Sequence, residues 1–145
     1  MILGRRTHAQ RGQALPEFGL AAIVVMTFFF GIIVSARAIF AYDMVANAAR
    51  MGARYAIVRG TGCTVSGCPA TATSIQTYLL SENPGLATTN LQVKASWATA
   101  PGCTDANQQG RACLVTVQVV YPFRFSYPLN WTTTITGSSS MVISQ

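Results

Sequence analysis

Between Phe18 and Ala36 the sequence runs for 19 residues without a charge (FGLAAIVVMTFFFGIIVSA). At 1.5 Å per residue such a run makes about 28 Å of helix, close to the roughly 30 Å hydrocarbon core of a bilayer. No strand runs so long, and a core helix of this length in a soluble protein would need a polar side. One membrane span is therefore expected. The composition points the same way, with 10 Lys and Arg, 4 Asp and Glu, and half of the 145 residues hydrophobic. A soluble domain carries roughly 25% charged residues. The length leaves room for one span and one small domain, not for two full domains.

Arg5, Arg6 and Arg11 put three positive charges, and no negative one, ahead of the apolar run. The positive-inside rule then places the N-terminus in the cytoplasm and everything after about Arg37 outside. Two ordinary export readings compete. A secretory signal could be cut at Val34-Ser35-Ala36 or Ala36-Arg37-Ala38, releasing a small secreted binding domain, although its apolar region is normally only about 7 to 15 residues long. A twin-arginine signal at Arg5-Arg6 lacks the apolar residues expected next, since Thr7-His8-Ala9 follows.

A third reading rests on Arg11-Gly12-Gln13-Ala14-Leu15-Pro16-Glu17-Phe18. The basic leader ends in a glycine, and five residues later a lone carboxylate stands at the lip of the apolar segment. Ionisable groups at a membrane boundary are costly and usually mark function. Cleavage after Gly12 would create an α-amino group at Gln13 within about a turn of Glu17. An ammonium and a carboxylate can then neutralise each other where water is scarce, within one chain or between neighbours. Pro16 and Glu17 also suit the opening of a helix, the first by its fixed φ and the second by complementing the helix dipole.

The basic leader, Gly12, Glu17, Phe18 and an immediate apolar run resemble the class III signal of type IV pilins and pseudopilins. More narrowly, GQALPEF, then RAIFAYDMVANAARMGARYAIVRG after the span and MVISQ at the end, resemble the TadE-like minor pseudopilins of the tight-adherence (Tad/Flp) type IVb pilus system. This sequence has Pro16 where the family more often shows an aliphatic residue before the Glu. The resemblance implies a pilin-like subunit processed by a prepilin peptidase between Gly12 and Gln13. It also implies that Glu17 and Phe18 act in recognition and assembly, with Glu17 engaging the N-terminus of a neighbour. The implied partners are membrane lipid, the peptidase, other pilin or pseudopilin subunits and the assembly machinery, and the implied role is pilus assembly and surface adherence from the cytoplasmic membrane.

The helical pattern continues beyond the span, with no Pro before Arg59. At 100° per residue Asp43, Asn47, Arg50 and Arg54 fall within about 60° of one another and form a polar stripe. Opposite lie Ala41, Val45, Ala48 and Gly52, small residues that let another backbone approach closely. A helix exposed alone outside the membrane would be marginal, so this half needs a head domain, neighbours, or both.

Arg59-Gly60-Thr61-Gly62-Cys63 ends the helix. Residues Ala70 to Ser81 carry Ile75, Tyr78 and Leu79 at helical spacing before the turn signal Asn83-Pro84-Gly85. Leu91 to Trp97 and Cys113 to Tyr121 alternate with period two, Trp131 to Thr136 forms a third run, and Met141-Val142-Ile143 is a possible extension of it. Three or four antiparallel strands and a short helix, packed on the small-residue face of the long helix, make an α+β architecture of the type IV pilin-like kind. Its parts are a leader over 1–12, a spanning and extended helix over 13–60, and a head over 61–145.

A head this small needs reinforcement. Cys63, Cys68, Cys103 and Cys113 all fall on the expected outer side, where disulfides persist. Of the three pairings that four cysteines allow, Cys63–Cys68 and Cys103–Cys113 are favoured, the second closing a Gly/Pro/polar loop between two strands. Zinc needs a tighter ligand set, and the single His8 lies across the membrane. No Cys-x-x-Cys pair, no Gly-x-Ser-x-Gly elbow and no outer histidine is present. The sequence therefore argues against an enzyme, a cofactor, a metal and a small-molecule substrate. Removing Arg5, Arg6 and Arg11 takes the net charge from +6 to +3, and no aromatic-lined basic patch remains to favour nucleic acid.

Overall fold

The computed structural model describes residues 14–82, 91–125 and 130–144. The chain divides into two compact units, Met1–Arg37 and Ala38–Gln145. Helix α1, Ala14–Ile57, contributes to both. Within the first unit it is the apolar helix, long and apolar enough to cross a membrane and with none of that stretch buried within the protein. Pro16 falls in its first turn, where the missing N–H has no carbonyl to meet. Thr27, in the middle of the apolar run, donates its hydroxyl to the Ile23 carbonyl at 2.8 Å, so the polar group is satisfied inside the helix.

The second unit packs the last part of α1 with α2 (Ala72–Glu82) and a three-stranded antiparallel sheet of β1 (Gln92–Ala98), β2 (Leu114–Phe125) and β3 (Trp131–Val142), in that spatial order. The fold is α+β. Helix α2 opens on a reciprocal cap: the Ser74 amide donates to Thr71 Oγ1 at 3.2 Å, and the Thr71 amide donates to Ser74 Oγ at 2.9 Å. Two of the four orphan amides of a helix start are thereby occupied. Pro69 ahead of the helix and the hydrogen bond from the Ala70 amide to the Arg59 carbonyl (2.9 Å) hold the entry against the end of α1.

The core forms where period two meets period 3.6. Val93, Val115, Val117 and Val119 face inward from the sheet, Ile75 and Leu79 from α2, and Val45, Ala48, Ala49, Ala53 and Ala56 from α1, all buried. Gly52 is the tightest point on the helix. A Cβ there would lie 3.0 Å from Ile75 Cγ2, 3.1 Å from Val117 Cγ1 and 3.4 Å from Leu79 Cδ1. The other sheet face is a lattice of polar side chains: in register, Lys94, Gln118 and Ser138 form one row and Ser96, Thr116 and Ser140 the next. Thr116 and Ser140 hydroxyls meet at 2.8 Å.

Several boundaries differ from the expectation. Strand β2 continues through Pro122 to Phe125, because β1 pairs only as far as Val120 and beyond it β2 has β3 alone as a neighbour. The missing N–H of Pro122 can then face an open edge. Strand β3 is likewise unbroken from Trp131 to Val142; Gly137-Ser138-Ser139-Ser140, read as a gap, is strand. The ladder runs on past it, with the Ile143 amide donating to the Cys113 carbonyl at 2.8 Å and the Ala112 amide to the Ile143 carbonyl at 2.9 Å. Helix α1 stops at Ile57 rather than Arg59, and Ser144 donates both amide and hydroxyl to the freed Ile57 carbonyl at 3.2 Å.

Candidate assembly surfaces

Gly12 and Gln13, the expected processing site, lie outside the described residues. Glu17 is in the first turn of α1, where a carboxylate faces the positive end of the helix dipole. Phe18 beside it is 74% exposed. From there the helix presents an unbroken apolar surface through Ile33, interrupted only by small residues and Thr27, and a Cβ at Gly19 or Gly31 would meet nothing within 4 Å. Such a surface can be covered by lipid or by another apolar helix.

On the part of α1 that belongs to the second unit the structure separates the two predicted faces. Asp43, Asn47, Arg50 and Arg54 are all exposed, while Val45, Ala48 and Gly52 are buried and Ala41 is half-buried. The buried face is wider than the expected one. Ala49, Ala53 and Ala56 join it and extend it to a sector of about 140°, because both α2 and the sheet pack on this segment. Small side chains are required at the closest approaches only, and alanine is equally at home on a solvated face, so composition could not set the width of the contact.

The structure joins Cys63 to Cys68 (S–S 1.99 Å) and Cys103 to Cys113 (S–S 2.03 Å). Cys113 is fully buried at the start of β2 and Cys103 is half-buried in the preceding loop. The segment leading into the first closed loop is tied to the second, since the Thr61 amide donates to the Gln109 carbonyl at 3.0 Å. An open groove of about 590 Å³ beside the Cys103–Cys113 loop is lined by Thr61, Thr104, Asp105 and Arg111 among others. Its carboxylate is engaged, Asp105 Oδ2 accepting from the Gln109 amide at 2.9 Å. Among the described residues no group of three His, Cys, Asp or Glu could hold a metal ion.

Two aromatic arrangements escaped the sequence reading. Arg59 lays its guanidinium 3.8 Å over the Tyr55 ring, and Tyr55 stacks on Tyr78 at 4.5 Å. This ties the end of α1 to α2. At the β2–β3 hairpin Phe125 stacks on Trp131 at 5.7 Å and meets Phe123 edge-on at 4.9 Å. The signal was present in the alternation Tyr121-Pro122-Phe123-Arg124-Phe125, which continues the period of β2 across the proline.

Neither curated proteins nor solved structures match the chain. A family model does, described as TadE-like protein, and it matches residues 12–54. Over the segment from Gly12 to Arg54, which ends on the exposed stripe of α1, this chain is similar to the TadE-like family.

Proposed function

We propose that the protein is a membrane-anchored minor pilin or pseudopilin of a Tad/Flp pilus, a structural component without catalytic activity. Residues 1–12 form a cytoplasmic leader removed by a prepilin peptidase between Gly12 and Gln13. Residues 18 to 36 cross the cytoplasmic membrane, and the head stands outside, held together by its two disulfides. The observation that carries this reading is the Gly12–Glu17 spacing at the mouth of a bare apolar helix, inside the segment that matches the TadE-like family. The Glu17 carboxylate would neutralise a new amine at Gln13, its own or a neighbour's, where hydrocarbon makes an unpaired charge costly. The exposed stripe of Asp43, Asn47, Arg50 and Arg54 is the face offered to other subunits, since the opposite face is spent on the head's own core.

Mass spectrometry of the membrane-extracted chain, from cells with and without the prepilin peptidase, tests the processing step. The reading requires an N-terminus at Gln13 in the first and an intact leader in the second. A soluble product beginning near Arg37 or Ile39 would instead support the secreted binding domain.

A further inference from the structure

The exposed stripe of α1 has an order as well as a composition. Asp43, Asn47, Arg50 and Arg54 follow one another at spacings of four, three and four residues, so the single acid stands at one end and both arginines at the other. Seven residues of helix turn to within about 20° of two full revolutions and rise about 10 Å. A shift of seven residues therefore lays the stripe on itself, with Asp43 on Arg50 and Asn47 on Arg54.

These charges are not used inside the chain. Among the described residues the side chains of Asp43, Arg50 and Arg54 have no hydrogen-bond or ion-pair partner. Asn47 holds its Nδ2 3.6 Å from Met51 Sδ and keeps Oδ1, an acceptor that an arginine can use. Ile39 and Phe40, exposed just ahead of Asp43 and on the same side of the helix, add apolar area to any contact made there. Two copies running in the same sense can meet through this face at one level or at an offset. Level copies set Asp43 against Asp43 and each arginine against itself, and facing like charges are disfavoured. Copies offset by seven residues set the acid against an arginine and Asn47 against the other arginine.

We infer that the stripe sets the register of a second copy of this chain: it holds level copies apart and joins copies offset by seven residues, Asp43 of one meeting Arg50 of the next and Asn47 meeting Arg54. This rests on the proposed function, in which all copies enter one membrane in one sense. Charges of this kind select a register more than they add affinity. The offset contact is also open-ended, since each copy offers its acid end to one neighbour and its arginine end to another. Copies waiting level in the membrane are then kept from pairing through this face, and pairing follows only when one is displaced along its axis.

All four native cysteines are joined in two disulfides, so a single added cysteine can pair only with one on another copy. The test co-expresses two differently tagged full chains in pilus-assembling cells, oxidises them mildly and scores two-tag dimers on non-reducing gels. Asn47→Cys with Arg54→Cys reads the offset register, Asn47→Cys in both copies reads the level one, and Asn47→Cys with Arg50→Cys reads an antiparallel one. The expected result is several-fold more dimer from the first combination than from either other. Asp43→Arg in both copies should remove that dimer, and Asp43→Arg with Arg50→Asp should restore it, all of these positions being exposed. Dimer that is equal or greater in the level or antiparallel combination, dimer indifferent to the charge exchange, or no dimer in any combination overturns the inference. The mature N-terminus in the same extracts separates this from the proposed function: a membrane-bound chain beginning at Gln13 that fails to cross-link removes the offset contact alone, whereas a soluble chain beginning near Arg37 removes both.

Discussion

Gly137 on β3 faces the backbone of Val45 so closely that a Cβ at position 137 would lie 2.9 Å from the Val45 carbonyl oxygen and 3.0 Å from its carbonyl carbon. Strand and helix meet there main chain to main chain. Neither partner can yield by turning a side chain. Gly137→Ala is expected to destabilise the head by about 1–3 kcal/mol, the usual cost of overpacking, seen as a lowered midpoint in denaturant unfolding of the oxidised protein.

Gly52 offers a contrast, because what crowds it is three methyl groups on Ile75, Val117 and Leu79. Gly52→Ala gains up to about 1 kcal/mol of helix propensity, which offsets most of the strain of shifting those groups. Its unfolding midpoint should stay near wild type. Gly52→Leu has no such space to use and should lose more than Gly137→Ala in the same measurement.

The reciprocal bond between Thr71 and Ser74 predicts a local effect at the start of α2. Thr71→Ala removes the cap and should cost about 1 kcal/mol, whereas Thr71→Ser keeps the hydroxyl and should cost little. Hydrogen exchange of the amides at Ser74 and Ile75 distinguishes the two variants, faster exchange being expected only in the first.

The disulfides should contribute unequally. Cys103–Cys113 closes ten residues and Cys63–Cys68 five, so loop entropy assigns them about 3 and about 2 kcal/mol. Cys113 is also fully buried at the head of the β2–β3 ladder. The Cys103→Ala/Cys113→Ala pair is therefore expected to lower the melting temperature more than Cys63→Ala/Cys68→Ala; equal losses would contradict this assignment.

The long apolar helix, the fold class and the two faces of α1 in the second unit were legible because each is a repeat: an unbroken apolar run, period two in the strands, period 3.6 around α1. Where the chain departs from a repeat the reading stopped short. Pro122 reads as a strand end because a central strand cannot hold proline, yet β2 has outrun β1 by that point and is no longer central. Gly137 and the three serines after it carry no apolar alternation and stand between two runs, yet they are strand, and the glycine there meets a helix backbone that no local window contains. The flank of Ala49, Ala53 and Ala56 was hidden for the related reason that alanine does not announce which side it faces. Trp131 and Phe125 adjoin across a hairpin whose pairing is set by register along the whole of β2 and β3.

Substitution of Glu17 separates processing from assembly. On the proposed function Glu17→Gln leaves the membrane-extracted chain with the same N-terminus as wild type, since the leader and Gly12 are untouched, but abolishes incorporation or pilus assembly. Immunoblotting of sheared surface fractions reads this out, and wild-type pilus levels in the variant would remove the carboxylate from the account.

The most direct measurement is the N-terminal residue of the mature chain in cells that possess the prepilin peptidase. The account predicts a chain beginning at Gln13 that remains in the membrane fraction. A chain that keeps its leader, or one that begins near Arg37 and is found in solution, would contradict it.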